Sequence, residues 1–199
     1  MPPRPAAQLD WRDQDMVAMD FETTGLNHRI ARPLSVGWVG IRKGGIVLSE
    51  AGYTRVRHRD AIPSEAIAIH RLVPEDVAEA PLVNVVGQRL SEALDGAILV
   101  AHGAHHERAM LRRCGIRWAK RDTIDTMRLA WSLDRLEGRA PERDYTLAKV
   151  ARRHGLPVRR AHHAFGDALT AGAVLLALAV RLERLGRSRA IDLLKLGRP

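Results

Sequence analysis

An aliphatic run that ends in two acids constrains this chain more than any other stretch of it. Met16-Val17-Ala18-Met19 reads as a buried strand and runs straight into Asp20-Phe21-Glu22, after which Thr23-Thr24-Gly25 supplies a turn. Side chains two apart on a strand share a face, so the carboxylates of Asp20 and Glu22 point the same way. Two like charges at the end of a buried strand are costly unless a cation neutralises them. Hard divalent ions bound by oxygen do this, and two carboxylates with positions left for water suit Mg²⁺ or Mn²⁺. A solvated strand end would look the same at this level, so the decision falls to other segments.

The neighbouring segments fix the class of fold. Leu34 to Arg42 and Ile46 to Thr54 read as strands joined by Lys43-Gly44-Gly45, a connection short enough to make an antiparallel hairpin. Ser64 to Leu72, with Ser64 as N-cap, and Leu82 to Leu94, apolar at Leu82, Val85, Val86, Leu90 and Leu94, have helical spacing. Ala97 to Ala101 is a short buried strand leading through His102-Gly103-Ala104 into a helix that ends near Cys114-Gly115. An extended piece at Asp122 to Ile124 precedes a helix capped by Asp125. Glu137 to Asp144 is a loop, Thr146 to His154 a short helix, and Ala164 to Leu185 the last long one. A hairpin followed by alternating strands and helices predicts an α/β domain with a mixed sheet. That domain is expected over residues 15–185, between an N-terminal tail at 1–14, packed at Leu9 and Trp11, and a basic C-terminal tail at 186–199.

Composition narrows the function classes. Of 199 residues, 46% are hydrophobic, which excludes intrinsic disorder. Cys114 is the only cysteine, which excludes a disulfide scaffold and points to a reducing, cytoplasmic compartment. Residues 1–15 lack the apolar centre of a secretory signal. The longest strongly apolar stretch, Ala168 to Val180, falls short of the ~20 residues a bilayer requires, so no membrane partner is expected. Lys and Arg number 32 against 23 Asp and Glu, leaving +9 and favouring a polyanionic partner. Yet 28 of those 32 are Arg, beside 28 Ala, a bias that genome composition also produces.

A second chemical segment is His162-His163-Ala164-Phe165-Gly166-Asp167-Ala168. On one continuous helix a five-residue step would turn His162 and Asp167 about 140° apart. They converge only if His162 sits on the entering loop and Asp167 in the first turns, where the helix dipole favours an acid. A neutral imidazole beside an activated water can serve as general base. Two histidines in a basic surface loop are the alternative.

Taken together, DFETTGL at 20–26, LVAHGAHHERAML at 99–111 and HHAFGDA at 162–168 resemble the three motifs of the DEDDh class of DnaQ-like 3′→5′ exonucleases. That class contains the proofreading epsilon subunit of bacterial replicative polymerase. IPSEAIAIHRL at 62–72 and IDTMRLA at 124–130 are family-like as well. The resemblance covers residues 15–185 and implies an RNase H-like fold with a mixed five-stranded sheet flanked by helices. It implies that Asp20, Glu22, Glu107 and Asp167 hold two Mg²⁺ or Mn²⁺ ions, with His162 as general base in two-metal hydrolysis. A 5′-mononucleotide would leave from the 3′ end of single-stranded DNA or a frayed duplex. Thr23, Thr24, Leu26, His70 and His102 are the implied contacts to the terminal nucleotide. Arg108, Arg112, Arg113 and Arg159-Arg160 are candidates for phosphate contacts. The implied partners are 3′ ends of single-stranded DNA or RNA, and a DNA polymerase.

The middle motif departs from the family. Where the family reads His-Asn-x-x-Phe-Asp, this chain has His102-Gly103-Ala104-His105-His106-Glu107. Glutamate adds one methylene, so the ligand is expected to persist with a shifted geometry or one bridging water. Gly103 lacks the usual amide, and His106 replaces an aromatic packing residue. Zinc is not expected, because these histidines and Cys114 form no CxxC or HExxH pairing. Two other readings stay open at this point: an RNA-trimming, oligoribonuclease-like enzyme, and a module that binds nucleic-acid ends or a polymerase without hydrolysis.

Overall fold

In the computed structural model, which describes residues 8–158 and 162–199, the aliphatic run lies at the centre of the sheet. Strand β1 (Met16–Thr23) pairs antiparallel with β2 (Pro33–Arg42), which turns through Lys43 and Gly44 into antiparallel β3 (Gly45–Arg55). On its other edge β1 runs parallel to β4 (Ile98–Ala101), and β4 runs parallel to β5 (Thr123–Asp125). The order β3-β2-β1-β4-β5 is the mixed five-stranded sheet the sequence predicts. A parallel partner needs a crossover, and the helices between β3 and β4 and between β4 and β5 supply them.

Eight α-helices among the described residues complete the fold: α1 (Ser64–His70), α2 (Pro74–Val77), α3 (Val83–Ala93), α4 (His105–Arg113), α5 (Thr126–Leu136), α6 (Leu147–Arg153), α7 (Ala164–Arg184) and α8 (Ala190–Leu196). Alternation along β1 sorts them into two layers. Val17, Met19 and Phe21 face a cluster with Val86 and Leu90 of α3 and Met110 and Leu111 of α4. Met16 and Ala18 face the other cluster, with Leu129 and Leu133 of α5 and Val174, Leu175 and Leu178 of α7. By the same alternation Asp20 and Glu22 continue the α7 side.

Helix α7 is long and apolar enough, by length and composition, to cross a membrane, but its apolar residues from Ala168 to Leu182 are largely buried beneath the sheet. It lies close to the strands because glycine allows it. Gly172 faces Ala18, where an added Cβ would sit 3.3 Å from the alanine Cβ. On β2, Gly37 is the Cα partner of Asp20, and a Cβ there would fall on the backbone of Phe165. One glycine thus docks the first turn of α7 directly beside the first acid.

Several expectations need correction. The segment 186–199 is no loose tail: it forms α8, whose Ala190 and Leu193 join the core. It closes on the N-terminal segment, where the Trp11 amide donates to the Ser188 carbonyl and the Ala190 amide to the Leu9 carbonyl. Trp11 is buried as expected, but the Leu9 side chain is exposed. Ser64 opens α1 as its first helical residue, behind Pro63 as cap, and makes no capping hydrogen bond. Helix α2, one turn long, has no counterpart in the sequence reading.

The Gly37 contact generates a prediction. Gly37→Ala forces apart two pieces of backbone, neither of which can yield as a side chain would, and is expected to cost about 1–3 kcal/mol. It should also weaken Mn²⁺ binding, because α7 carries Asp167. Gly172→Ala meets only side-chain atoms, at 3.3 to 3.5 Å, and should cost less of both. Thermal melts and calorimetric Mn²⁺ titration of the two variants check the ranking.

Candidate active site

The two acids of β1 meet the acid of α7. One carboxylate oxygen each from Asp20, Glu22 and Asp167 lie within 4.8 Å of one another. Glu107, in the first turn of α4, borders the same cleft and is 97% buried, with 3% of its surface exposed. Its carboxylate stands outside the tight trio. The cleft measures about 840 Å³, and His162 completes the five predicted chemical residues on its wall.

Local structure explains how His162 and Asp167 converge across five residues. Asp167 lies in the first turn of α7, and His162 precedes the helix in a left-handed conformation, φ 57°. Histidine tolerates that region better than most residues. The turn brings the His162 amide 2.9 Å from Asp167 Oδ2, to which it donates. The neighbouring ring of His163 stacks on Tyr53 at 4.8 Å, which ties the loop to β3.

The middle motif is held by an acid that the sequence assigns only to helix capping. Asp125 does cap α5, its Oδ1 accepting from the Met127 amide at 3.0 Å. The same carboxylate also accepts from the amides of Gly103 and Ala104, each at 3.0 Å. Gly103 needs this support in a left-handed turn, φ 82°, a conformation that glycine and asparagine reach most easily. The loop from β4 into α4 is thereby fixed, and with it Glu107. Only the three-dimensional proximity of β4 and β5 reveals this second role of Asp125.

Electrostatically the site is under-compensated. Burial, and then the charges of Glu107, Glu22 and Asp167, holds Asp20 well above the ordinary carboxylate range. Burial and the charge of Asp167 push Glu22 up to about 7. Burial pushes Glu107 up to about 8, with Asp125 and Glu22 adding to it against its own backbone hydrogen bond. Asp167 is raised by burial, an effect opposed by the amides of His162 and His163 and the His162 charge. No Arg or Lys lines the cleft among the described residues. Glu22 Oε1 and Glu107 Oε2 are buried without a hydrogen-bond partner. Orphaned carboxylate oxygens without a cation of the chain's own are what divalent ions would satisfy, so the residues fit an oxygen-liganded metal centre.

The remaining predicted contacts divide. Leu26 stands 88% exposed at the cleft, an apolar side chain free to meet a ligand. Thr23 donates its hydroxyl to the Gly25 carbonyl at 2.9 Å and lies 3.2 Å from His106 Nε2, so His106 braces the turn in place of an aromatic residue. Thr24 closes its own loop, Oγ1 accepting from the Arg32 amide at 3.0 Å. His70 ends α1, its Nδ1 accepting from the Leu72 amide at 3.0 Å, and burial lowers its pKa. His102 is held at both ring nitrogens, Nδ1 with the Thr126 hydroxyl at 2.9 Å and Nε2 with the Tyr145 carbonyl at 2.6 Å. All five border the cleft, but the polar side-chain atoms of Thr23, Thr24 and His102 are already committed to neighbours. Arg108 donates to the Trp118 carbonyl and Arg113 to the Arg29 carbonyl, whereas Arg112 is exposed on α4. Arg159 and Arg160 lie outside the described residues. Pro63 and Ile69 also line the cleft and carry no chemical signal in the sequence.

Comparison with known proteins converges on one group. The RNase_T exonuclease family model matches residues 17–175. A putative bifunctional exonuclease/endonuclease protein of Mycobacterium tuberculosis is 31% identical over 191 residues, covering 92% of this chain and 28% of its own. A PolC-type DNA polymerase III of Thermotoga maritima is 29% identical over 189 residues, covering 92% of this chain and 13% of its own. The 3′-5′ exonuclease DinG of Staphylococcus aureus is 24% identical over 174 residues, covering 84% and 18%. The chain thus spans between 13% and 28% of the length of these relatives. Among solved structures, Escherichia coli exonuclease I in complex with a dT13 oligonucleotide aligns with a TM-score of 0.71 at 16% identity, over 87% of this chain and 42% of that one.

The raised carboxyls make stability depend on pH and metal together. With Glu22 at about 7 and Glu107 at about 8, against 4.5 for an ordinary glutamate, the metal-free folded chain binds more protons than the unfolded chain across that window. Stability therefore falls as pH rises through it, by roughly 3 kcal/mol for Glu22 alone. In a chelator, the melting temperature is expected to drop from about pH 5 to about pH 8.5, and Mn²⁺ should restore more of it at the higher pH. Glu22→Gln should flatten the metal-free profile. A melting temperature independent of pH in the chelator would contradict the burial of these acids.

Proposed function

The chain belongs to the DnaQ-like exonuclease family and has its RNase H-like fold, and on that premise we propose that it removes nucleotides one at a time from the 3′ ends of single-stranded DNA, or of frayed duplexes. The observation that carries this reading is the convergence of Asp20, Glu22 and Asp167 within 4.8 Å, beside Glu107 and His162, in a cleft without Arg or Lys among the described residues. The direction draws support from the relative named a 3′-5′ exonuclease, and the single-stranded substrate from the fold neighbour bound to dT13. The relative named a PolC-type polymerase supports a polymerase as working partner.

Asp20, Glu22, Glu107 and Asp167 would hold two Mg²⁺ or Mn²⁺ ions. When bound, these supply the positive charge that lets a phosphodiester enter an acidic cleft, activates water, and offsets charge on the leaving oxygen. The chain's own residues do the rest. A ring nitrogen of His162 takes the proton from the attacking water, and the Asp167 carboxylate holds the His162 backbone for that task. The new bond is from the water oxygen to phosphorus. The bond that breaks joins phosphorus to the 3′ oxygen of the penultimate nucleotide. A 5′-mononucleotide leaves, and the shortened strand keeps a 3′ hydroxyl. Leu26 offers an apolar surface to the terminal base, on a loop that Thr24 closes.

A second reading, a module that binds 3′ ends without hydrolysis, is favoured by one observation only: the Glu107 carboxylate stands outside the trio.

The test uses 5′-labelled and 3′-labelled single-stranded DNA with Mn²⁺ or Mg²⁺. Wild type should shorten the 5′-labelled strand stepwise and release the 3′ label at once as a mononucleotide 5′-phosphate. Asp20→Ala should release nothing, and His162→Ala should be slower by roughly 10²–10⁴-fold. Metal-dependent binding with no release from the wild type would support the second reading. Faster loss from RNA of equal length would reassign the substrate to the RNA-trimming class.

A further inference from the structure

A second concentration of charge lies beyond the loop that follows Glu22. A cavity of about 440 Å³ is lined by Arg32, Arg57, Arg59 and Arg113, and Asp60 is its one acid among the described residues. Two of these guanidiniums are fixed by neutral acceptors and so keep their charge for a ligand. Arg57 Nε donates to the Ala80 carbonyl at 2.9 Å, and Arg113 Nη2 donates to the Arg29 carbonyl. Glu79 approaches Arg57 only to 4.0 Å with its side chain 86% exposed, an arrangement that contributes little. Arg32 and Arg59 are exposed.

This cavity is joined to the acids. Between them lies a third hollow, about 460 Å³, which shares Thr24, Gly25, Leu26 and Pro63 with the acid cleft. At its other end it shares Arg32, His58 and Asp60 with the arginine cavity. Its middle is uncharged, with Asn27, Ala31, Ala61 and the 72% exposed Ile30. The path therefore runs from the acid cleft, across an uncharged floor with the apolar side chains of Leu26 and Ile30 standing in solvent, to four arginines.

We propose that this path binds the upstream part of a single-stranded nucleic acid whose 3′ terminus occupies the acid cleft, with its phosphodiester backbone on Arg32, Arg57, Arg59 and Arg113. The proposal rests on the exonuclease reading of that cleft. A polyanion led into a cluster of acids needs attraction from outside it, and guanidinium forks match phosphate oxygens two at a time. Bases, which carry no net charge and present flat apolar faces, suit the intervening floor. A single strand is flexible enough to pass from one hollow to the next. The outlying arginines would then set how tightly, and at what ionic strength, a long strand is held, while the chemistry at its end stays with the acids.

The experiment pairs two substrates with the double variant Arg32→Ala/Arg59→Ala, which removes the exposed pair and leaves the backbone-anchored arginines in place. Binding of a fluorescent single strand of about 20 nucleotides is followed by anisotropy across a salt series with Ca²⁺ present, and the log–log slope for the variant should be shallower by about 1.4, two charges at ~0.7 each. Hydrolysis of the p-nitrophenyl ester of thymidine 5′-phosphate, which reaches only the acid cleft, should stay within about twofold of wild type, while kcat/KM on the long strand falls at least about tenfold at low salt. An unchanged slope overturns the proposal, as does an equal loss on the ester and the long strand. If the wild type hydrolyses neither substrate but the slopes still differ, the nuclease reading fails and the strand path stands.

Discussion

Four carboxylates crowd one end of a sheet with no Arg or Lys among the described residues on the walls around them, and most of the local architecture follows from that repulsion. Left to themselves these acids would separate or protonate, since burial and mutual charge both oppose ionisation. They stay together because each is mounted on an element whose position is decided elsewhere. Asp20 and Glu22 end the strand that both hydrophobic clusters share. Asp167 rides on a helix buried along most of one face, and Glu107 on a helix whose own apolar residues pack beneath the opposite face. The apolar core supplies the free energy that holds like charges in place, an opposition that divalent ions would relieve.

Two details show how narrowly the placement is controlled. The approach of α7 to β2 depends on Gly37, whose strand partner is Asp20 itself. A side chain there would move the helix bearing the third acid away from the first. The approach of Glu107 depends on Asp125, which gathers three backbone amides from two segments and so welds the end of β4 to the start of α5. Neither residue touches the centre of the cleft in this arrangement. Both decide where its ligand groups stand.

Much of this is legible in the sequence, and what is not has a common cause. Alternation placed Asp20 and Glu22 on one face, and the stereochemistry of a five-residue step required His162 to precede the helix that carries Asp167, as it does. Hairpin length and the order of strands and helices gave the sheet. By contrast, the packing of α8 depends on its meeting with the N-terminal segment around Trp11, a contact between opposite ends of the chain that local periodicity does not encode. The commitments of His102 and Thr24 were hidden for the same reason, since their partners Tyr145 and Arg32 are distant or indistinct in sequence. Residue type announced the chemistry; only the fold could say which polar groups were already engaged.

The overall charge of +9 acquires meaning from its distribution. Arginine inside the acid cleft would satisfy the carboxylates directly and compete with any metal for the orphaned oxygens of Glu22 and Glu107. Arginine far away would be screened, because attraction between exposed charges fades over about 10 Å at ordinary ionic strength. The proposed metal-dependent action on a nucleic acid therefore calls for positive charge close by but outside the cleft. The arrangement of acids, uncharged floor and arginines along joined hollows meets that requirement. The surplus that composition alone leaves ambiguous is, at this face of the molecule, placed where the acids make it necessary.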